Sequence, residues 1–237
     1  MPVMNRFQTI FFLFFLSQSW VSWAADDAHA SAPDLAGPRV EVDYSQAPQC
    51  AAFAVHAGKL VEEWYPQIRK LLASDGQSPP PQVIKLTFLP MEGVAWTANT
   101  DIHISADWVT KRDTNDFGMV IHEMTHIVQN YHGGGQGWLT EGIADYVRYR
   151  YFEPGVLKPH ITEKSSYREG YKTTAAFLIW LAENKDPQIV VKLNSASREN
   201  RPVIPIFKES TGLDLDDLWH EFADAARKKR NEPATKN

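Results

Sequence analysis

The chain has 237 residues, 43% of them hydrophobic and 22% charged, and a formal net charge of -5. That is enough chain for one well-filled core, and its acidic balance excludes nucleic acid and anionic lipid as default partners. The single cysteine, Cys50, excludes an intramolecular disulfide and any zinc site built on thiolates.

The first segment carries a targeting signal. Arg6 precedes the apolar run Ile10 to Leu16, and Ser22-Trp23-Ala24 follows as a small-x-small cleavage site. The apolar run is too short to span a bilayer. The expectation is a signal peptide over 1–24, a mature chain from Ala25, and a secreted or periplasmic protein with no membrane attachment after cleavage. Residues 25–40, small, polar and containing proline, read as a linker, which leaves one domain over 41–237.

Within that domain the spacing of Phe53, His56, Leu60, Trp64, Ile68, Leu71 and Leu72 predicts a helix from about Gln49 to Ala73. Pro66 predicts a break or kink near Tyr65. Cys50, in an apolar run, reads as a buried core thiol. Strands are expected at Val83–Leu89, Gly93–Thr97 and Ile102–Ser105, the last two joined at Ala98-Asn99-Thr100-Asp101. Asp113 or Thr114 is the expected N-cap of a helix reaching about Tyr131, ended by Gly133-Gly134-Gly135. Further helices are expected near Thr140–Phe152, Lys172–Asn184, Pro187–Asn194 and Asp214–Lys229. Strands followed by helices predict an α+β fold: a small N-terminal mixed sheet with a mainly helical C-terminal part.

The chemistry centres on His122-Glu123-Met124-Thr125-His126, an H-E-x-x-H sequence on a helical segment. Phe117, Ile121, Met124 and Val128 form its apolar stripe. His122 and His126 lie one turn apart on another face, where two neutral imidazoles can share one zinc ion. Zinc lowers the pKa of its bound water toward neutrality. Glu123 cannot reach the ion from its helical position but can reach the water, which suits it as general base and then as proton donor to a leaving amine.

Two residues compete for the third ligand position. Glu141 opens a second helical segment together with Asp145, at i and i+4. A glycine loop before it can fold that helix back and bring Glu141 to the zinc. Asp145 then stands where it can accept a hydrogen bond from the outer nitrogen of a ligand histidine. His132 is the other candidate, at the spacing H-E-x-x-H-x-x-G-x-x-H. Gln129 occupies the glycine place of that pattern. On a continuous helix His132 lies about 15 Å along the axis from His122, too far to share an ion.

The combination of His122-Glu123-x-x-His126 with Trp138-Leu139-Thr140-Glu141-Gly142 resembles the gluzincins, and Asp145 matches an aspartate of thermolysin-like enzymes. A closer resemblance is to the basic secretory protein family of plants and bacteria, classed among zinc peptidases. It rests on Gly93-Val94-Ala95-Trp96-Thr97, Ile121 to Gln129, Glu141 to Arg148 and Gly170 to Leu178. The resemblance implies a zincin-like metallopeptidase domain with an active-site helix, and hydrolysis of peptide bonds in a peptide or protein substrate. Unlike the family's name, this chain is acidic. Many zincins stabilise the oxyanion with a tyrosine or histidine, and Tyr171, in the family-like stretch, is the candidate here.

The strands around Trp96 and Ile104 are candidates to pair with an extended substrate. His29, His56, His103, His160 and His220 show no ligand spacing. A monomer is expected. The competing reading is a catalytically weak, zinc-stabilised secreted protein acting by binding, for instance in defence. Intact Glu123 favours the enzyme, since a structural zinc site has no use for a carboxylate beside its ligand. No carboxylate spacing argues for a glycan hydrolase.

Overall fold

The structure, a computed structural model, describes residues 37–74, 77–132 and 136–231. The expected signal peptide, most of the expected linker and the three-glycine loop lie outside the described residues. The fold is α+β, a small mixed sheet followed by a mostly helical remainder.

The first strand, β1 (Arg39–Asp43), begins inside the stretch read as linker. Its Val40 and Val42 pack against the core. Then comes α1 (Ala51–Leu71), which runs unbroken through Pro66. The expected break near Tyr65 is absent. A proline inside a helix loses one hydrogen bond and crowds the preceding turn, at a cost of about 3 kcal/mol. Tyr65, Ile68 and Leu72 around it are all buried in the core, and three such side chains contribute more than that.

Three further strands, β2 (Val83–Leu89), β3 (Ala95–Ala98) and β4 (Asp101–Ser105), complete a sheet of order β1-β2-β4-β3. β1 and β4 pair parallel with β2, whereas β3 runs antiparallel to β4 at the edge. Ile84, Leu86, Phe88, Ile102 and Ile104 point to one face and are fully buried. The β3–β4 turn places Asn99 at φ 54°, a left-handed conformation that asparagine tolerates. β4 is internal, so of the two strands proposed to receive a substrate only β3 has a free edge.

A single π-helical turn, Trp108–Arg112, leads into α2 (Phe117–Gln129). Its cap is Asp116, not Asp113 or Thr114. Asp116 Oδ1 accepts from the Met119 N–H at 3.1 Å, while Trp108 Nε1 and Arg148 Nη2 also donate to its carboxylate. The helix ends earlier than expected, at Asn130 with φ 45°. Arg198 donates to the carbonyls of Val128 and Gln129, a cation at the negative end of the helix dipole.

α3 (Gly137–Val147) begins before Thr140, and its last expected turn is a π-helical one, Arg148–Phe152. α4 (Tyr171–Asn184), α5 (Ile189–Arg198), α6 (Ile204–Thr211) and α7 (Leu215–Asn231) follow. α6, where Ile206 and Phe207 are buried, is not expected from the sequence. Phe177 of α4 is fully buried among the rings of Phe207, Trp219 and Phe222. Cys50 is buried beside the Ala106 carbonyl, as its apolar context implied. No helix among the described residues is long and apolar enough to cross a membrane.

Candidate metal centre and active-site cleft

α2 is buried on nearly every side, with Ile121, Met124 and Val128 in the core. His122 and His126, one turn apart, face α3. That helix is brought in from the far side by α4. Gly142 lies so close to Thr174 of α4 that a Cβ at Gly142 would collide with the threonine side chain. The contact seats the adjacent Glu141 opposite the two imidazoles.

Three ligand atoms converge there. His122 Nε2 is 3.2 Å from His126 Nε2 and 3.1 Å from Glu141 Oε2, and His126 Nε2 is 3.5 Å from the same oxygen. The outer ring nitrogens decide what the inner ones present. His122 Nδ1 donates to Asp145 Oδ1 at 2.7 Å, and Asp145 is only 4% exposed. Gln129 Nε2 donates to the Thr140 carbonyl, which turns Gln129 Oε1 toward His126 Nδ1 at 2.7 Å. Both outer nitrogens therefore carry hydrogens, and in the neutral rings both Nε2 atoms present lone pairs.

Two lone pairs and a carboxylate oxygen within hydrogen-bond distance repel one another unless positive charge lies among them. Burial by itself pushes the His122 imidazole down, but hydrogen bonds to Asp145 and Glu141 outweigh it and hold the ring at about 9. Burial likewise pushes the Glu141 carboxyl up, and hydrogen bonds from His122 and His126 outweigh that and hold it at about 2. One proton bridges two of the three atoms; a metal cation satisfies all three. A tetrahedral zinc with ligands about 2.0–2.1 Å away spaces them about 3.3–3.4 Å apart, close to the separations found here. His122, His126 and Glu141 thus form a group that could hold a metal ion.

His132 is exposed, lies beyond the turn at Asn130 and is not part of this group. Glu123 faces the cleft from the neighbouring position on α2 and is 7% exposed. Thr97 of β3 donates to its Oε2 at 2.7 Å. Its other oxygen has no partner among the described residues, and since no buried side-chain oxygen there lacks one, that oxygen opens to the cleft.

Tyr171 stands at the mouth, 55% exposed. Its ring lies nearly parallel to that of His122, 5.9 Å between centroids. Gly170 and Tyr171 have φ values of 74° and 44°. A positive φ is ordinary for glycine and strained for tyrosine, so the start of α4 holds this ring over the cleft at a conformational cost. Burial and the carboxylates of Glu141, Glu123 and Asp145 push its phenol above the ordinary value, which keeps the proton on at neutral pH. The hydroxyl has no partner among the described residues. If it donates to a developing oxyanion, Tyr171→Phe should lower kcat about tenfold with little change in KM. The effect is set below that of a fully enclosed donor because the ring is half exposed. Steady-state kinetics check this, and unchanged kcat would leave Tyr171 as packing.

The cleft occupies about 1180 Å³ and is bordered by Val94 to Thr97 of the β3 strand region on one side and Glu169 to Thr173 on the other. The pairing of β3 fixes which of its groups face outward. The Ser105 N–H donates to the Val94 carbonyl at 2.9 Å, so Ala95↔Ile104 and Thr97↔Ile102 are the pairs that exchange no hydrogen bonds. The N–H and C=O groups of Ala95 and Thr97 therefore point to the free edge. Trp96 is 47% exposed and stacks on His103 at 3.9 Å, which gives that histidine a packing role.

A family described as a peptidase of plants and bacteria matches residues 47–222. The chain belongs to this family. No curated protein and no solved structure matches it. The matched region contains all the cleft residues named above, and the family's description points to a peptidase-like protein. It is also the family that the sequence resembled.

Gln129 and Thr97, which hold the groups of His126 and Glu123 in place, are not among the residues expected from the sequence. Gln129 stands three residues after His126, a helical spacing that offers a partner to the outer ring nitrogen, so its signal was present. Thr97 reaches Glu123 across 26 residues. No local pattern carries a contact of that separation.

Proposed function

We propose that this protein is a secreted or periplasmic zinc-dependent peptidase with a zincin-like fold, in which His122, His126 and Glu141 hold the metal. The observation that carries the reading is the convergence of two lone-pair nitrogens and a carboxylate oxygen, each imidazole fixed from outside by Asp145 or Gln129. Such outer partners set the tautomer and aim of ligand histidines. Family membership supports the peptidase activity, and the leader-like segment at 1–24 supports export.

When bound, zinc supplies a Lewis acid that polarises a peptide carbonyl and acidifies water. The remaining work falls to this chain's own groups. Glu123 takes the proton of the attacking water on its cleft-facing oxygen and passes it to the leaving amine. Tyr171 donates to the oxygen that gains charge. The outward N–H and C=O groups of Ala95 and Thr97 pair with an extended peptide, which aligns its scissile bond along the cleft.

The test is metal content together with cleavage of a mixed peptide library, with and without a chelator. Cleavage should depend on stoichiometric zinc and vanish on chelation. Full activity in protein shown to be metal-free would sink the proposal. Tight zinc with no cleavage of any peptide would move the protein to the binding class.

A further inference from the structure

Among the described residues, the one side chain that grips the Glu123 carboxylate comes from the sheet, not from its own helix. Thr97 Oγ1 lies 2.7 Å from Glu123 Oε2 and 3.1 Å from the Glu123 carbonyl oxygen. A hydroxyl has a single proton to give, and the shorter contact to the charged acceptor takes it. We infer that Thr97 is the positioning residue for Glu123, pinning one carboxylate oxygen so that the other alone is presented to the substrate. The inference rests on the reading of Glu123 as the base.

Two mechanical features make Thr97 a firm post. Its β-branched side chain is restricted at χ1. Its strand is held by the register Trp96↔His103 and Thr97↔Ile102 against an internal strand. A glutamate has three rotatable side-chain bonds and, beside an open cleft, would otherwise sample several rotamers. With Oε2 tied, a proton arriving from the cleft side lands on the other oxygen. Thr97 can go on donating to Oε2 in the neutral acid, so proton uptake demands no rearrangement there. The same residue turns its backbone N–H and C=O to the free edge of β3. The strand segment proposed to seat a peptide is thus the one that holds the base, and the two stay in register with each other.

The experiment compares Thr97→Val, which keeps the branched shape without the hydroxyl, with Thr97→Ser, which keeps the hydroxyl. Both are made in the wild-type and the Glu123→Gln backgrounds. Turnover is read on the fastest-cut member of a fluorogenic peptide library, alongside zinc content and thermal unfolding. A crystal structure of metal-free Thr97→Val supplies a readout independent of activity. Thr97→Val should keep its zinc and its unfolding temperature and lower kcat about tenfold with KM little changed, the scale of one hydrogen bond to a charged group. Thr97→Ser should recover most of that loss. In the Glu123→Gln background Thr97→Val should cost almost nothing more, because its effect passes through the carboxylate. The crystal structure should show Glu123 spread over more than one rotamer. Unchanged kcat in Thr97→Val while Glu123→Gln is inactive would overturn the inference and leave the base in place. So would an equal loss in both backgrounds, or an undisturbed Glu123 rotamer. Wild-type turnover in Glu123→Gln would instead remove the base reading itself.

Discussion

Glu123→Gln is expected to lower turnover by about 10²–10⁴-fold, the range for losing a positioned general base, while the protein keeps its metal. The side chain lies outside the group of His122, His126 and Glu141, so the proposed ligand set is untouched. The amide has the volume of the carboxylate, and its oxygen can still accept from Thr97, so packing and the contact with β3 survive. What disappears is the ability to take a proton on the atom that faces the cleft. Kinetics, zinc content and thermal unfolding measured on the same preparation separate these effects. Loss of zinc would mean that Glu123 belongs to the ligand set. Near wild-type turnover would mean that another group moves the proton.

The same geometry explains what a reader of the sequence can and cannot find. His122, Glu123 and His126 are legible because one helical turn sets their spacing, and that turn needs no tertiary contact. Glu141 and Asp145 are legible as a pair for the same reason. Their arrival at the imidazoles depends on α3 packing between α2 and α4, which rests on the close approach of Gly142 to Thr174. No strand is expected over β1, whose first two residues read as linker, because Arg39 and Glu41 flank its valines; only pairing with β2 makes it a strand. α6 is short and carries Pro205 in its first turn, so local propensity argues weakly for it. The error at Pro66 runs the other way. A proline still weakens the helix locally, but the buried residues on either side outweigh it. Asp116 rather than Asp113 caps α2, and its carboxylate is held by Trp108 from the preceding π-helical turn and by Arg148 from 32 residues away. That Ile104 has no open edge is likewise a property of the strand order.

The last expected result concerns the third ligand. Glu141→Ala should lose most of its zinc at limiting metal, whereas His132→Ala should hold it. Glu141 Oε2 lies 3.1 and 3.5 Å from the two imidazole nitrogens and is held ionised by them, at about 2. Removing it leaves two neutral rings and takes away the only negative charge among the three converging atoms. His132 follows the left-handed residue Asn130, which ends α2 and carries the chain away, and its side chain is exposed. The loss in Glu141→Ala should exceed the about 10–100-fold that removal of an outer partner costs. Asp145→Asn therefore serves as the internal scale: it alters the group behind His122 without touching the ligand atoms. Competition with a zinc chelator gives the affinities, and thermal unfolding of the metal-free proteins checks that each variant is folded. Zinc loss in His132→Ala with retention in Glu141→Ala would reverse the assignment, take Glu141 and Asp145 out of the site, and require the segment after Asn130 to swing back toward the histidines when metal binds.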